Sequence, residues 1–457
     1  MTAEESIRQN KTPRYAWAIL AVTYLACVAA PFCQFKIPPL SNEIIPLLIG
    51  NFGVDPANVG VYFGMLMTCL TIIGAVLAFP AAFLARKISL KTTVLISDAC
   101  MAIGGVMCAL WGTESLAILY ASRIIEGIGI GLVGVAGPTC VSIWFPEQTR
   151  GKALGIWATW VPVGCVLSFG IVPYVSQAAG FIAVFWMTAI ISVVAFVLFA
   201  LVFKMPPARF GEQGSVAAEE EVPSVRESLG FLKNKWIWML GIVFFCFTFN
   251  TLGIVNSYYN TYLTLGGWDA AVASNVTSIC TGVGIITAPL AGVIFDKLKR
   301  EHKRYLVAFV MLVIMVSVFF MWDSAGTGNP QVGVQMTSMS WFALVMFVGL
   351  QSICGGMGGG SVRPFAPMLV EQNAVAASMA MAVLQFMQNL GSGLGSLIYG
   401  AVIDMTDITT WALPGNLLQL PICAVAIIIV CCINPWKKRG NAADQSAEEQ
   451  REGAEKN

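Results

Sequence analysis

Apolar residues along this chain gather into blocks of roughly 18 to 27 residues, divided by short polar stretches. A helix needs about 20 such residues to cross a hydrocarbon core about 30 Å thick. Twelve blocks qualify: 15–35, 58–84, 92–112, 116–138, 153–175 and 181–203, then 236–260, 271–295, 305–322, 340–362, 375–400 and 413–433. The pattern predicts an all-α membrane protein of twelve transmembrane helices. A polar segment from Lys204 to Lys235, with Pro206, Pro207 and the acidic run Glu219–Glu221, interrupts the series after the sixth block. The expected organisation is a six-helix half over 1–203, a cytoplasmic linker over 204–235, a second six-helix half over 236–433 and a polar cytoplasmic tail over 434–457. The first block follows Arg8, Lys11 and Arg14 but lacks a convincing cleavage site, so it reads as a retained span and not as a leader.

Composition agrees with the pattern. Charged residues are 11% of the chain and apolar ones 57%, whereas soluble domains carry about 25% charged residues. The distribution of charge adds an orientation. Of the 26 lysines and arginines, 23 fall in segments that share one side of the membrane if the N-terminus is inside. Basic residues resist translocation, so both termini are expected in the cytoplasm. A formal net charge of +1 gives no reason to expect a nucleic-acid partner. The 13 cysteines lie mostly inside apolar blocks without a CxxC pair, and the sole histidine, His302, stands in a charged loop. Neither a disulfide framework nor a metal site is expected, and the cysteines read as small buried hydrophobes.

The three remaining basic residues are Lys36, Arg123 and Arg363. A charge at membrane depth is costly and tends to line a cavity or find a partner. Internal likeness between the halves supports a site between them. Ala82-Phe-Leu-Ala-Arg86-Lys87 after the second block parallels Gly292-Val-Ile-Phe-Asp296-Lys297 after the eighth, and Pro146-Glu147-Gln148 parallels Val370-Glu371-Gln372.

These residues also carry a family resemblance over nearly the whole chain. Gly292-Val-Ile-Phe-Asp296-Lys297 resembles the Gly-x-x-x-Asp-(Arg/Lys) loop of the major facilitator superfamily. Arg123-Ile-Ile-Glu126-Gly127-Ile-Gly129 resembles its Arg-x-x-x-Gly-x-Gly motif, and Trp144-Phe145-Pro146-Glu147 through Arg150-Gly151 is similar to a loop of its bacterial members. The resemblance implies two pseudo-symmetric halves, alternating access and a cavity-facing Arg123. The first-half loop departs from the signature, with Arg86 where the acidic residue would stand, and Asp98 is a substitute partner. The Gly-Pro pair of drug/proton antiporters is missing from the fifth block, and the acidic residue of sugar/proton symporters from the first.

A guanidinium at Arg123 suits a carboxylate ligand, or pairs with Glu126 one turn away. Substrate contacts are expected from Arg123, Lys36, Trp160, Asn256, Tyr259, Asn260, Gln385, Gln388 and Asn389. The last three head a polar stripe with Ser392 and Ser396 along the eleventh block. Lys36 either lures anions at the outer mouth or snorkels to water. Glu126 is the expected proton carrier, while Asp98, Arg86, Asp296, Arg150 and Arg363 are expected at the gates. The Gly355–Gly360 run lacks the Gly-Lys-Ser/Thr end of a phosphate loop and reads as close helix packing.

No nucleophile, paired-carboxylate constellation or ATPase motif is found, so the expected function is secondary transport without a cofactor, not catalysis. The expected substrate is a small organic anion such as a carboxylate, moved by proton symport or anion exchange across the cytoplasmic (inner) membrane by a monomer. The rival readings are an exporter of amphipathic or aromatic compounds, and a non-transporting sensor on the same scaffold.

Overall fold

The computed structural model describes residues 12–206, 230–329, 333–370, 374–406 and 411–435. Eleven of its helical segments are long and apolar enough to cross a membrane, and a twelfth long helix carries the polar stripe. The first half comprises α1 (Arg14–Phe35), α2 (Ser41–Gly50), α3 (Val59–Ile88), α4 (Leu90–Trp111), α5 (Leu116–Ser142), α6 (Glu147–Trp157), α7 (Trp160–Ala179) and α8 (Phe181–Val202). The second comprises α9 (Lys235–Thr248), α10 (Asn256–Leu265), α11 (Ala270–Gly282), α12 (Gly284–Lys297), α13 (Lys303–Met321), α14 (Ser338–Phe365), α15 (Ala374–Asp404) and α16 (Ala412–Cys432). A small antiparallel hairpin, β1 (Thr327–Asn329) and β2 (Gly333–Gln335), precedes α14.

Helix boundaries follow local chemistry. Asn234, Asp269 and Thr337 each cap a helix by accepting a hydrogen bond from a backbone N–H two or three residues on. Ser89 does the same for α4 at φ 82°, a backbone angle that few residues other than glycine adopt. Gly180, at φ 80°, turns the chain between α7 and α8.

Two spans differ from their sequence expectation. The first does not stop near residue 35, because a 3₁₀ turn at Pro38–Leu40 joins α1 to α2 and the apolar path runs from Arg14 to Gly50. The seventh is interrupted by a π-helical turn, Phe249–Val255, between α9 and α10.

Packing sorts the helices into two bundles with a seam between them. Within the first half α5 packs on α3 and α4, and α4 on α8; within the second, α14 packs on α12 and α13. Across the seam α3 lies along α15, and α7 along α11. Large apolar side chains such as Ile190, Leu201, Ile286 and Phe309 point outward, as a surface solvated by lipid tails requires.

The polar cross-seam contacts gather away from the lysine- and arginine-rich rim that carries Arg14, Lys87, Lys235 and Lys297. Gly60 and Val61 donate backbone N–H bonds to the Asp404 carboxylate at 2.6 and 2.8 Å. Thr68 donates to the Gly393 carbonyl at 2.8 Å, Gln34 to the Ser392 hydroxyl at 3.2 Å, and Asn260 to the Pro38 carbonyl at 3.0 Å. Nearer the basic rim, Phe79 meets Phe386 with ring centres 5.6 Å apart.

Candidate functional site

Pro38 and Pro39 have no N–H, so the carbonyls of Gln34 and Phe35 lose the donors that a helix would supply four residues later. Arg123 of α5 fills part of that gap. Its Nη2 donates to the Gln34 carbonyl at 3.1 Å and its Nη1 to the Cys33 carbonyl at 2.8 Å, while Nε donates to the Leu66 carbonyl of α3 at 2.9 Å. Nη1 also donates to Glu126 Oε2 at 2.5 Å, and the other oxygen of Glu126 receives the Lys36 ammonium. All three charged side chains are fully buried. The group carries one excess positive charge, and the Lys36 ammonium sits 5.3 Å from the centre of the Phe185 ring.

This arrangement differs from two expectations. Lys36 does not snorkel to water, because the helical path continues past it to Gly50 and encloses it. Arg123 is pinned to backbone as well as to Glu126, with four of its five N–H groups taken within the first half. It braces the broken end of α1 against α3 and α5.

The second half presents a different arginine. Arg363 of α14 donates from Nη2 to Gln388 Oε1 at 2.7 Å, and its guanidinium carbon lies 5.9 Å from the centre of the Phe244 ring. It is partly exposed and has no carboxylate partner among the described residues. Gln388 stands about 21 Å along α15 from Ala374, at 1.5 Å per residue. The guanidinium therefore meets α15 near the middle of that helix's length.

The glycine run of α14 permits this placement. A Cβ on Gly356 would meet Gly284 Cα at 2.4 Å, one on Gly358 would meet the Phe247 ring at 2.0 Å, and one on Gly360 would meet the Ala288 carbonyl at 2.1 Å. Only bare backbone lets α14 approach α9 and α12 so closely.

Elsewhere on α15, Gln385 donates to Asn389 Oδ1 at 3.4 Å, and the Asn389 Nδ2 is buried without a partner among the described residues. Both amides face the first half. A Cβ on Gly74 would stand 3.0 Å from Asn389 Nδ2, and one on Gly134 would stand 3.4 Å from Gln385 Cδ. The assembled surface thus offers a guanidinium, spare amide N–H groups and glycine-made space at the seam. These are groups that bind an anion.

The other expected residues are placed as follows. Asn256 lies at the seam, its Nδ2 3.8 Å from Cys165 Sγ and its Oδ1 accepting from Thr281 at 3.4 Å. Tyr259 turns into the second half, with its hydroxyl 2.9 Å from Ser324 and its ring 4.5 Å from that of Phe347. Asn260 bonds Ser274 as well as Pro38 and so belongs to the seam contacts. Trp160 is buried beside Trp157 with an unpartnered indole N–H. Ser392 and Ser396, lower members of the stripe, are bonded to Gln34 and to Ser257. Asp98 is fully buried, and neither carboxylate oxygen is bonded among the described residues. Asp296 is exposed and makes no ion pair among the described residues, and the side chains of Arg86 and Arg150 lie outside them. Phe244, Gln34 and Asp404 also contribute, though none was among the residues expected at the site. Asp404 had a signal, being a carboxylate at the far end of a long apolar block.

Comparison with known proteins adds to this geometry. The family model described as Major Facilitator Superfamily matches residues 39–396. The chain is 23% identical over 418 residues to the uncharacterized MFS-type transporter YtbD of Bacillus subtilis, covering 90% of this chain and 93% of that one. It is 25% identical over 208 residues to the oxalate:formate antiporter of Oxalobacter formigenes, covering 45% of this chain and 48% of the antiporter. It is 22% identical over 311 residues to the "Probable sulfoacetate transporter SauU" of Cupriavidus necator, covering 65% and 71%. Among solved structures, a D-xylose-proton symporter superposes with a TM-score of 0.66 at 14% identity, over 92% of this chain and 96% of the symporter.

Proposed function

The chain belongs to the major facilitator superfamily, and on that premise we propose that this transporter moves a small organic anion by alternating access, with Arg363 as the substrate cation. It is a multi-pass membrane transporter and not an enzyme. One observation carries the finer reading: Arg363 is a guanidinium near the middle of α15's length with only a neutral amide partner among the described residues. A cation at membrane depth is costly unless an anion completes it, and Asn389 Nδ2 supplies a donor without a partner among the described residues. Arg123, held by backbone carbonyls and Glu126, serves to position α1. The oxalate:formate antiporter and the probable sulfoacetate transporter described above are named for small organic anions, which fits the donor set. Proton symport and anion exchange are the two modes in keeping with this reading, in a cytoplasmic membrane with both termini inside.

The test is ligand-dependent thermal stability of purified protein, since a ligand that binds only the native state raises its apparent stability. Oxalate, sulfoacetate and glycerol 3-phosphate should raise the Tm of wild type and fail to raise that of a folded Arg363→Ala variant. Stabilisation of both forms by aromatic cations alone would replace the anion reading with that of an exporter.

A further inference from the structure

Two fully buried carboxylates of the first half are in opposite situations. Glu126 is bonded to two cations. Asp98, on α4 about 12 Å from Leu90 at 1.5 Å per residue, is fully buried, and both of its oxygens lack a hydrogen-bond partner among the described residues. Its sequence neighbour Ser97 is bonded, donating to the Gly129 carbonyl of α5 at 2.7 Å. The lack of partners is therefore a property of the Asp98 position and not of a loosely packed helix.

The helices packed on α4 are α1, α3, α5 and α8. From α1 the titratable group within electrostatic range is the thiol of Cys27, and Tyr24 is turned toward Thr159 at 2.8 Å. On α5, Glu126 lies at the level of Gly104, where a Cβ would stand 2.5 Å from its Cγ. That is about 9 Å farther along α4, and Glu126 is already neutralised by Lys36 and Arg123. Cys140 of α5 is buried near Cys27. The α8 segment contains no titratable residue; on α3 Lys87 is exposed at the basic rim, Tyr62 stands at the other end, Cys69 lies near Arg123, and the Arg86 side chain is outside the described residues. No described cation therefore compensates Asp98, and Thr23 Oγ1, one turn before Cys27, is likewise buried without a partner.

An ionised carboxylate without a donor or counter-charge in so dry a place is strongly disfavoured, and the neutral acid is the form such a site can hold. We propose that Asp98 is a proton-binding site, occupied in this conformation, in which polar contacts close the seam away from the basic rim. Its proton is the one exchanged with water when the halves reorient. The use of that proton in a cycle rests on the transport reading above; the bound proton does not. Glu126, fixed between its cations, is left with a positioning role.

Infrared difference spectroscopy tests this without a substrate. Purified wild type at neutral pH should show the C=O stretch of a protonated carboxyl, and Asp98→Asn should lack it, while Asp296→Asn alters only the bands of ionised carboxylates. An unchanged protonated-carboxyl band in Asp98→Asn overturns the proposal. If that variant does not stay monodisperse, the wild-type spectrum decides, because absence of any protonated-carboxyl band at neutral pH overturns it equally. With oxalate as the probe in liposomes of phosphatidylethanolamine and phosphatidylglycerol, Asp98→Asn should keep oxalate exchange and lose the response to a pH gradient. A retained gradient response overturns the coupling role. Failure of wild type to move oxalate counts against the anion reading alone, and the infrared result still decides Asp98.

Discussion

Arg123 and Arg363 are both arginines inside the membrane, one in each half, yet their chemistry differs. Arg123 is wholly buried and bonded to three backbone carbonyls and a carboxylate. Arg363 is partly exposed at the seam and bonded to one amide. The first is placed by a defect in its own half, the missing N–H of Pro38, and works as a brace. The second is placed by glycines that let α14 come close to its neighbours, and retains capacity for a ligand. A charge in a membrane helix is thus informative only when its remaining donors have been accounted for.

The contrast can be broken most forcefully at Glu126. Glu126→Gln leaves two buried cations facing a neutral amide, and should destabilise the fold by about 3–5 kcal/mol, seen as a large fall in Tm or loss of monodisperse protein. If Glu126→Gln proved as stable as wild type, the bracing role would be lost. Arg363→Ala should do the reverse, leaving Tm nearly unchanged. It should weaken anion binding by about 1.5–3 kcal/mol, the range of hydrogen bonds to charged groups, as read by titration calorimetry with oxalate. Loss of folding in Arg363→Ala with normal binding in Arg123→Lys would exchange the two roles.

Smaller effects should come from the seam that both arginines flank. A Cβ on Gly64 would stand 2.5 Å from both the Ser396 carbonyl and the Tyr258 hydroxyl. Gly64→Val should therefore disfavour this closure by about 1–3 kcal/mol, raising thiol labelling at cysteines introduced along the α3–α15 seam. Asp404→Ala, which removes the acceptor for two N–H groups at the start of α3, should shift the same labelling by about 1 kcal/mol. Equal labelling in both variants and wild type would show that neither contact contributes to closure.

The architecture was legible because hydrophobic length and basic asymmetry are local sums. Boundaries such as Phe181–Val202, expected at 181–203, follow directly from them. The continuation of the first span to Gly50 was not legible, since a Pro-Pro pair reads as an end and only tertiary support from Arg123 carries the path onward. The π turn in the seventh span leaves no mark in hydropathy. For the site, the polar stripe of the eleventh span was visible by its spacing, and the structure bonds Gln388 to Arg363 and turns Gln385 and Asn389 toward the first half. Which of two arginines is free could not be read, because it depends on carbonyls brought in from other helices. The orientation of Tyr259 and Asn260 was equally hidden: helical spacing gives a shared face but not the neighbour that face meets.

The seam itself has a consequence for the work of opening. Its close contacts are backbone against backbone: a Cβ on Gly400 would meet the Gly60 carbonyl at 2.3 Å, and one on Gly64 the Ser396 carbonyl at 2.5 Å. Surfaces of glycine, hydroxyl and carbonyl are readily wetted, so parting them uncovers little that shuns water. A joint lined with interlocking leucines would close more firmly and resist reopening. This one fits tightly while adhering weakly, a combination that lets two halves part and rejoin repeatedly without refolding either of them.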